Sequence, residues 1–430
     1  MGSRAASAVG WLCLVLFVPV VVCLTLLHGM ATAAAVVAAS LALLVWPRPD
    51  LVLVLLLGLV PLTAVADPAG TATAVLIAGA VALLLLRILL SGLRPRCDLL
   101  VSAVVVLLAL AVAVSRLLPP LPLAVEGGRA GCASLLAGLA LLAVSTVTPP
   151  DPRHVARIVA VSGAAVAGYL LVLGQHANER LVGLGLNPNY LGAMLALPLV
   201  AAAGLVRLQR SWLWLLPSLL LATAILETRS RGAFLMVAAG VTWVLLAGRP
   251  PRHKVLVALA VLGAAVLLPG TLDAVGSTLT GDRSTAELSA NNDVRRRAAW
   301  VAARVALDHP LRGIGYGAFP DFARMSPELG IYLNTHNDYL RLAAECGVGA
   351  LVLFAALLWP ALARRHTREH AVLQSMGAAA AMGLLFANTL ATLLVSAPFW
   401  VLLGCLLAQS RRRRQPATAP TARVLSARNP

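Results

Sequence analysis

The chain has few charged residues. Only 12% of its 430 residues are charged, whereas 60% are hydrophobic, and soluble globular domains typically carry about twice that share of charge. Uninterrupted apolar runs of roughly 17 to 20 residues recur along the sequence, and each is long enough to cross a bilayer as a helix. We therefore predict an all-α polytopic membrane protein.

Cysteine is scarce and has no motif spacing. No Cys-x-x-Cys pair occurs, and most of the cysteines lie in predicted spans: Cys13, Cys23, Cys97, Cys132, Cys346 and Cys405. They predict neither a disulfide framework nor a metal-binding knuckle.

Fourteen apolar runs are candidate spans. They centre near Val18, Ala38, Leu57, Ala80, Val106, Ala140, Gly168, Leu197, Leu220, Gly240, Leu262, Phe354, Ala379 and Leu402. Neighbouring runs such as 371–409 divide in more than one way, so we expect about 12 to 14 transmembrane helices. A cleaved signal peptide ending near Ala31-Thr32-Ala33 is an alternative for the first run. The parity of the later loops favours a retained span.

Basic residues concentrate in alternate short loops. This set comprises Arg4, Arg48, Arg94, Arg96, Arg153, Arg157, Arg207, Arg210, Arg249, Arg252, Lys254, Arg364, Arg365, Arg368 and Arg411 to Arg414. Because basic short loops stay cytoplasmic, both termini are predicted to be cytoplasmic in the inner (plasma) membrane. The net charge of +17 then reflects topology and attraction to anionic membrane lipid, and predicts no nucleic-acid partner.

The charge pattern also divides the chain into four parts. Residues 1–269 form an N-terminal bundle of spans, and 347–409 form the C-terminal spans. Between them, residues 270–346 form one large extracytoplasmic loop with short helices. Residues 410–430 form a basic, disordered cytoplasmic tail.

The large loop has the composition of a folded subdomain, because it holds more than half of the chain's 17 acidic residues. Asn291-Asn292-Asp293 predicts the start of a helix that passes through Trp300 and ends at Asp308-His309-Pro310. Gly313, Gly315 and Gly317 then predict a turn-rich segment around Tyr316. Their spacing resembles a dinucleotide fingerprint only superficially, since no strand precedes it.

A second helix start follows in the loop. Thr335-x-x-Asp338 is a capping-box pattern that would place His336 at the first helical position. A helix N-terminus disfavours the imidazolium, so His336 is predicted to be neutral near pH 7 and able to accept a proton. The alternative is a polar histidine that only caps or satisfies the loop.

Arginines on the same predicted face are candidate anion ligands. Arg231 opens a span against the helix dipole, and either an ion pair with Glu227 or a bound anion would offset its charge. Together with Arg229 and the run 295–297, it could hold a diphosphate through forked donors. Asn187-Pro188-Asn189 lies on this face too, and its simplest interpretation is a turn with a helix cap.

Five segments of the chain, in order, resemble the O-antigen ligase and polymerase superfamily. They are Asn187-Pro188-Asn189-Tyr190-Leu191-Gly192, Thr228-Arg229-Ser230-Arg231-Gly232-Ala233, Arg296-x-x-x-Trp300, His309-Pro310-Leu311 with Gly313-Ile314-Gly315-Tyr316-Gly317, and His336-Asn337-Asp338-Tyr339-Leu340 with Glu345-Cys346-Gly347-Val348-Gly349. The resemblance covers about residues 187–405. The chain departs from the family pattern at Ala350, where the family has Gly, Thr or Tyr.

The resemblance implies a glycosyltransferase that moves a glycan from undecaprenyl diphosphate to a glycan, lipid or protein acceptor at the outer membrane face. It implies that His336 is the catalytic base and that Arg231 and Arg296 bind the diphosphate, with Arg229 and Asn337 as further contacts. Supporting positions would be Asp338, Trp300, Tyr316 and Asn189.

No cofactor is expected. The loop has no Asp-x-Asp pair, and its face offers arginine instead, which favours a metal-independent leaving-group step. A repeat-unit polymerase of the same superfamily is an open alternative. A flippase or transporter is less favoured, because Arg87 is the only charge well inside a predicted span.

Overall fold

The computed structural model describes residues 48–67, 70–90, 99–119, 121, 128–247, 253, 256, 285–363 and 367–412. These residues form an all-α polytopic membrane protein, as predicted. The span centres at Val18, Ala38 and Leu262 and residues 413–430 of the predicted tail lie outside the described residues. Every other predicted span centre falls within a described helix.

The first half of the described chain is a series of long apolar helices with one short hairpin. The elements are α1 (Pro49–Ala66), α2 (Thr71–Leu90), α3 (Leu99–Leu117), α4 (Gly128–Val147), α5 (Pro152–Leu173), β1 (Gln175–Ala177), β2 (Arg180–Val182), α6 (Pro188–Gln209), α7 (Leu215–Thr228) and α8 (Arg231–Leu245). A 3₁₀ turn at Trp212–Trp214 precedes α7. The antiparallel hairpin pairs His176 with Leu181.

The second half contains the loop subdomain and the last helices. The elements are α9 (Thr285–Asp308), α10 (Phe319–Met325), α11 (Asp338–Cys346), α12 (Val348–Ala363), α13 (Arg368–Gly383) and α14 (Leu393–Arg412). Five described helices, α2 to α6, are long and apolar enough to cross a membrane on length and composition, and shorter apolar helices accompany them.

Helix α6 is the centre of the bundle. It packs against α5, α7, α8 and α13. In its most apolar 18-residue stretch 78% of the residues are buried, compared with 17% in α2. Asn187 caps its start by accepting hydrogen bonds from the amides of Asn189 and Tyr190, which confirms the predicted turn and cap. Small residues allow close packing, since an added Cβ at Gly192 would lie 2.8 Å from Ser230 and Ala233 of the α8 start.

The two ends of the bundle differ in the groups they bring together. At one end, Arg153 of α5 forms an ion pair with Glu369 of α13 at 2.5 Å. At the other end lie the hairpin, the starts of α6 and α8, the end of α7 and the loop subdomain.

The subdomain is built on α9. The helix begins at Thr285, so the predicted start near Asn291 is wrong, and it ends at Asp308 as predicted. Its buried side, including Val301 and Val305, packs with Ile314, Phe319 and Ala344 in a small separate core.

The glycine segment needs its glycines at two points. Gly313 has a φ of +63°, and an added Cβ would lie 2.3 Å from the carbonyl carbon of Glu345. Gly317 has a φ of +83°, and an added Cβ would lie 2.3 Å from Gly128. No other residue fits both the left-handed backbone and the close approach.

Candidate functional site

His336 lies just before a helix and not within it. Helix α11 begins at Asp338, and its N-cap is Asn337, whose side chain accepts from the amide of Leu340 at 3.0 Å. The capping-box prediction is therefore wrong. In a capping box the Asp338 amide would donate to Thr335, but here it donates to the carbonyl of Leu384 at 2.8 Å.

The backbone at His336 is left-handed, with a φ of +52°. Few residues other than glycine adopt this region, although histidine is among the better tolerated. Such strained positions cluster at functional sites, because the surrounding structure must hold them in place. Here the hydrogen bonds of Thr335 and the cap at Asn337 hold the chain on both sides.

The imidazole of His336 is neutral at pH 7. Burial, followed by the nearby positive charge of Arg295, lowers the pKa of His336 to about 4. The predicted direction is thus observed, but the cause differs from the one expected. A half-buried ring beside a guanidinium, and not the first turn of a helix, disfavours the imidazolium.

Segment 384–392, which lies outside the α-helices, contacts the residues on both sides of His336, namely Thr335 and Asp338. It separates α13 from α14 and contains a 3₁₀ turn at Thr389–Ala391. The carboxylate of Asp338 accepts from the amide of Leu390 at 3.0 Å and from the hydroxyl of Thr389 at 3.3 Å. Non-helical backbone is tolerated in a membrane protein where other protein groups satisfy it, as they do here.

Within segment 384–392, Asn388 connects three parts of the chain. The hydroxyl of Thr335 donates to its side-chain oxygen at 3.1 Å, and the hydroxyl of Tyr190 donates to its carbonyl at 3.4 Å. The start of α6, the loop before α11 and segment 384–392 therefore meet beside His336. Sequence reasoning missed this segment; its only signal was the polar pair Asn388-Thr389 within the apolar run 371–409.

Asp338, two residues after His336, is buried. Burial raises the pKa of the Asp338 carboxyl to about 7, although the hydrogen bond from Leu390 and the charge of Arg341 oppose the rise. This residue is therefore a structural partner of segment 384–392 and not the helix cap that the sequence predicted.

Arg231 opens α8 at the same end of the bundle. The helix begins at Arg231 as predicted, and its N-cap Ser230 accepts from the amide of Ala233. An added Cβ at the next residue, Gly232, would lie 3.6 Å from Phe386, which places the start of α8 beside segment 384–392.

Two of the other candidate residues are held by partners on the hairpin side. Arg229 forms an ion pair with Glu179 at 2.7 Å. Glu227, the acid considered for Arg231, lies 3.4 Å from His176.

Arg180 is a site residue that sequence reasoning missed. It is buried, donates to the Thr228 carbonyl at 2.9 Å, and donates to the side chain of Asn189 at 2.9 Å. It thus connects β2 with the end of α7 and the start of α6. Its signal was its place in an outer loop with few cations.

The arginine run on α9 divides between two sides of the helix. Arg295 is half-buried and acts on His336, whereas the side chain of Arg296 is 82% exposed and pairs with Asp293 at 3.1 Å. Trp300 is 58% exposed, with the Arg304 guanidinium 5.6 Å from its ring centre. The structure therefore brings Arg295 to His336, and it brings neither Arg296 nor Trp300 there.

Tyr316 belongs to a second buried cluster behind the site. The Arg341 guanidinium lies 4.6 Å from its ring centre and donates to Glu345 at 2.8 Å. Glu345 also accepts from the amides of Gly317 at 2.8 Å and Phe319 at 3.2 Å. This cluster fixes the glycine segment to α11.

The groups near His336 are the Arg295 guanidinium, the neutral side chains of Thr335 and Asn388, and the buried carboxyl of Asp338. Within the described ranges, no three His, Cys, Asp or Glu residues group as a metal site. The arrangement offers a neutral imidazole that can accept a proton and guanidinium groups that can bind an anion.

Comparison with known families agrees with this picture. Residues 216–355 match the family model described as O-antigen ligase. This match supports membership in the O-antigen ligase superfamily. The matched region runs from α7 into α12 and contains Arg231, Arg295 and His336. It also contains Ala350, the departure from the family pattern, which is a buried packing position. A search of curated proteins finds no match to the chain.

Proposed function

We propose that this member of the O-antigen ligase superfamily transfers a glycan from an undecaprenyl diphosphate carrier to an acceptor at the outer face of the cytoplasmic membrane. The observation that carries the proposal is the neutral His336 in a strained backbone conformation, beside Arg295 and at the bundle end where Arg231 opens α8. A donor outside the cell must already be activated, because nucleotide sugars are absent there, and a diphosphate leaving group supplies that activation.

In the proposed reaction, His336 accepts the proton of the acceptor hydroxyl as that oxygen attacks the anomeric carbon. The bond between the anomeric carbon and the diphosphate oxygen breaks, and the carrier leaves with the electron pair. Attack opposite the leaving group inverts the anomeric centre. The proton remains on the imidazole until water or the released diphosphate removes it.

Arg231 and Arg295 would bind the diphosphate and neutralise its developing charge. We assign this role to Arg295 in place of Arg296, because Arg295 is the member of the run whose charge acts on His336. Arg229 and Asn337 are secondary: one pairs with Glu179 and the other caps α11. No metal is required when guanidinium groups carry the leaving group.

Donor binding would also adjust the base. Arg295 lowers the pKa of His336 in the free protein, and a bound diphosphate would offset that positive charge. The pKa of His336 would then rise, and the imidazole would become a stronger base when the donor is in place.

The proposal requires the site to face outward, with both termini in the cytoplasm. Cysteines introduced at the exposed Glu328 of the loop and at Glu369 of the opposite end should differ in labelling. In intact cells an impermeant thiol reagent should modify the first and not the second. The reverse pattern would place the site in the wrong compartment for this chemistry.

The alternative of the same superfamily is a repeat-unit polymerase, and glycan analysis of a deletion strain separates the two. Long lipid-linked chains that are no longer attached to an acceptor indicate a ligase, whereas accumulation of single lipid-linked units indicates a polymerase. A purified protein that transfers no glycan but moves the lipid-linked donor across vesicles would instead indicate a flippase.

A further inference from the structure

The exposed side of α9 carries charged side chains in the middle of the helix and large apolar side chains nearer its end. In the middle of the helix, Asp293, Arg296 and Arg297 present charged side chains to solvent. Toward its end the helix presents Trp300 and Leu307 together with the ion-paired Arg304 and Asp308, and Leu311 lies three residues beyond the helix. Leu307 is 77% exposed and Leu311 is 89% exposed. Among the side chains of α9 that the structure describes, the large exposed apolar ones lie toward its end, and such a patch marks an interaction surface.

The apolar end of α9 adjoins the start of a membrane helix. The amide of Val348, the first residue of α12, donates to the Pro310 carbonyl at 2.8 Å. An added Cβ at Gly347 would lie 2.6 Å from the Leu311 carbonyl oxygen. Leu311 is therefore at the same level as the first turn of α12.

The neighbouring spans show where the lipid surface passes. Val348 and Val352 of α12 are exposed, and so are Leu117 and Leu118 at the end of α3. Helix α3 packs against both α11 and α12. The exposed apolar residues at the start of α12 therefore adjoin Leu311, which follows α9.

The remaining side chains of this surface suit a membrane interface. Trp300 lies about two turns before Leu307 in the helix, and tryptophan is enriched where headgroups meet acyl chains. The guanidinium of Arg304 lies 5.6 Å from the Trp300 ring centre, and Arg312 is exposed beside Leu311. Arginines at this depth can reach lipid phosphates with their charged ends.

We propose that the C-terminal end of α9, from Trp300 to Leu311, is an interfacial anchor that inserts into the outer leaflet at the boundary of headgroups and acyl chains. From there the helix leads out of the membrane toward the exposed Asp293. The anchor fixes the loop subdomain against the lipid surface and gives Trp300 a role in lipid contact and none in catalysis.

Depth-dependent quenching tests the anchor. Single cysteines at Leu307, Leu311 and the control position Asp293 are labelled with an environment-sensitive maleimide dye in lipid nanodiscs. The signal of the labelled parent protein is subtracted. Asp293 lies on the same side of α9, about 21 Å along the helix from Leu307. All three side chains are exposed, so the substitutions leave the core intact.

The expected result is strong quenching of the Leu307 and Leu311 labels by shallow spin-labelled phosphatidylcholine, several-fold above that of the Asp293 label. Aqueous iodide should quench in the opposite order. Equal values at all three positions would overturn the proposal. Protection at Leu307 and Leu311 from both quenchers would also overturn it, because that result means a second protein copy covers the surface.

A second measurement needs no added cysteine. The difference in fluorescence between the parent protein and Trp300→Phe should be quenched by brominated lipid, and Trp359→Phe, on the exposed side of α12, serves as the positive control. Loss of quenching at Trp300 but not at Trp359 would contradict the anchor. Neither experiment contains a glycan donor, so either can fail while the proposed transferase activity stands.

Discussion

The buried ion pair between Arg341 and Glu345 offers the sharpest test of how the site is supported. Glu345 is fully buried and accepts from Arg341, Gly317 and Phe319. Removing one partner of a buried pair costs about 3 to 5 kcal/mol. Each orphaned backbone amide adds about 1 to 3 kcal/mol, and the costs overlap because one carboxylate serves all three donors.

We therefore expect Glu345→Ala to lower the free energy of unfolding by about 5 kcal/mol. Glu345→Gln should cost less, since its amide oxygen still accepts from one backbone amide. Arg341→Met alone leaves an unpaired buried carboxylate. The double variant Arg341→Met with Glu345→Gln should be more stable than the two single costs added together predict, by about 1 to 3 kcal/mol.

The assay is reversible unfolding in mixed detergent micelles, with helix content followed by circular dichroism. The four variants and the parent protein are compared under the same conditions. A surface variant, Glu328→Gln, serves as the control. If Glu345→Ala unfolds like the parent protein, the Arg341–Glu345 pair does not stabilise the fold. If the two single costs simply add in the double variant, the two side chains are energetically independent, which also contradicts the prediction.

Three further predictions concern the site itself. Arg295→Gln should move the acid side of the pH profile of kcat/KM to higher pH, because the pKa of His336 rises when this charge is removed. Arg296→Gln should leave the profile unchanged. Equal shifts in the two variants would contradict the assignment of Arg295 as the residue that acts on His336. Asp338→Asn should keep most activity at pH 7, since the amide oxygen still accepts from Leu390, whereas Asp338→Leu should lose both activity and stability. Burial raises the pKa of Asp338 from 3.8 to about 7. Its contribution to the free energy of unfolding is therefore fully present below pH 3.8 and is lost as the pH rises through 7. Thermal melts of Asp338→Asn should lack this pH dependence.

The spans were predictable because apolar length alone decides which segments can cross a bilayer. The described apolar helices fall where the apolar runs of the sequence predict them, as α5 does around Gly168. The end of α9 was also predictable, since Asp308-His309-Pro310 is a local stop signal. These features depend on residues close together in the chain.

The site depended on contacts that are distant in the chain. The amide of Asp338 finds Leu384 and not Thr335, so a local capping pattern gave the wrong helix start. Segment 384–392 is mostly apolar, and its break from helix reflects the partners it meets. The sequence could not tell whether Arg295 or Arg296 turns inward, because that depends on how α9 is rotated against α11.

The rate of glycan transfer by His336→Ala tests the central claim most directly. Purified protein in detergent is given a lipid-linked glycan and an acceptor, in the presence of EDTA, and the variant is compared with parent protein and with His336→Gln. Loss of a general base predicts a fall of roughly 10² to 10⁴ in rate, with donor binding and helix content nearly unchanged. A well-folded His336→Ala protein that transfers glycan at the parent rate would contradict the account.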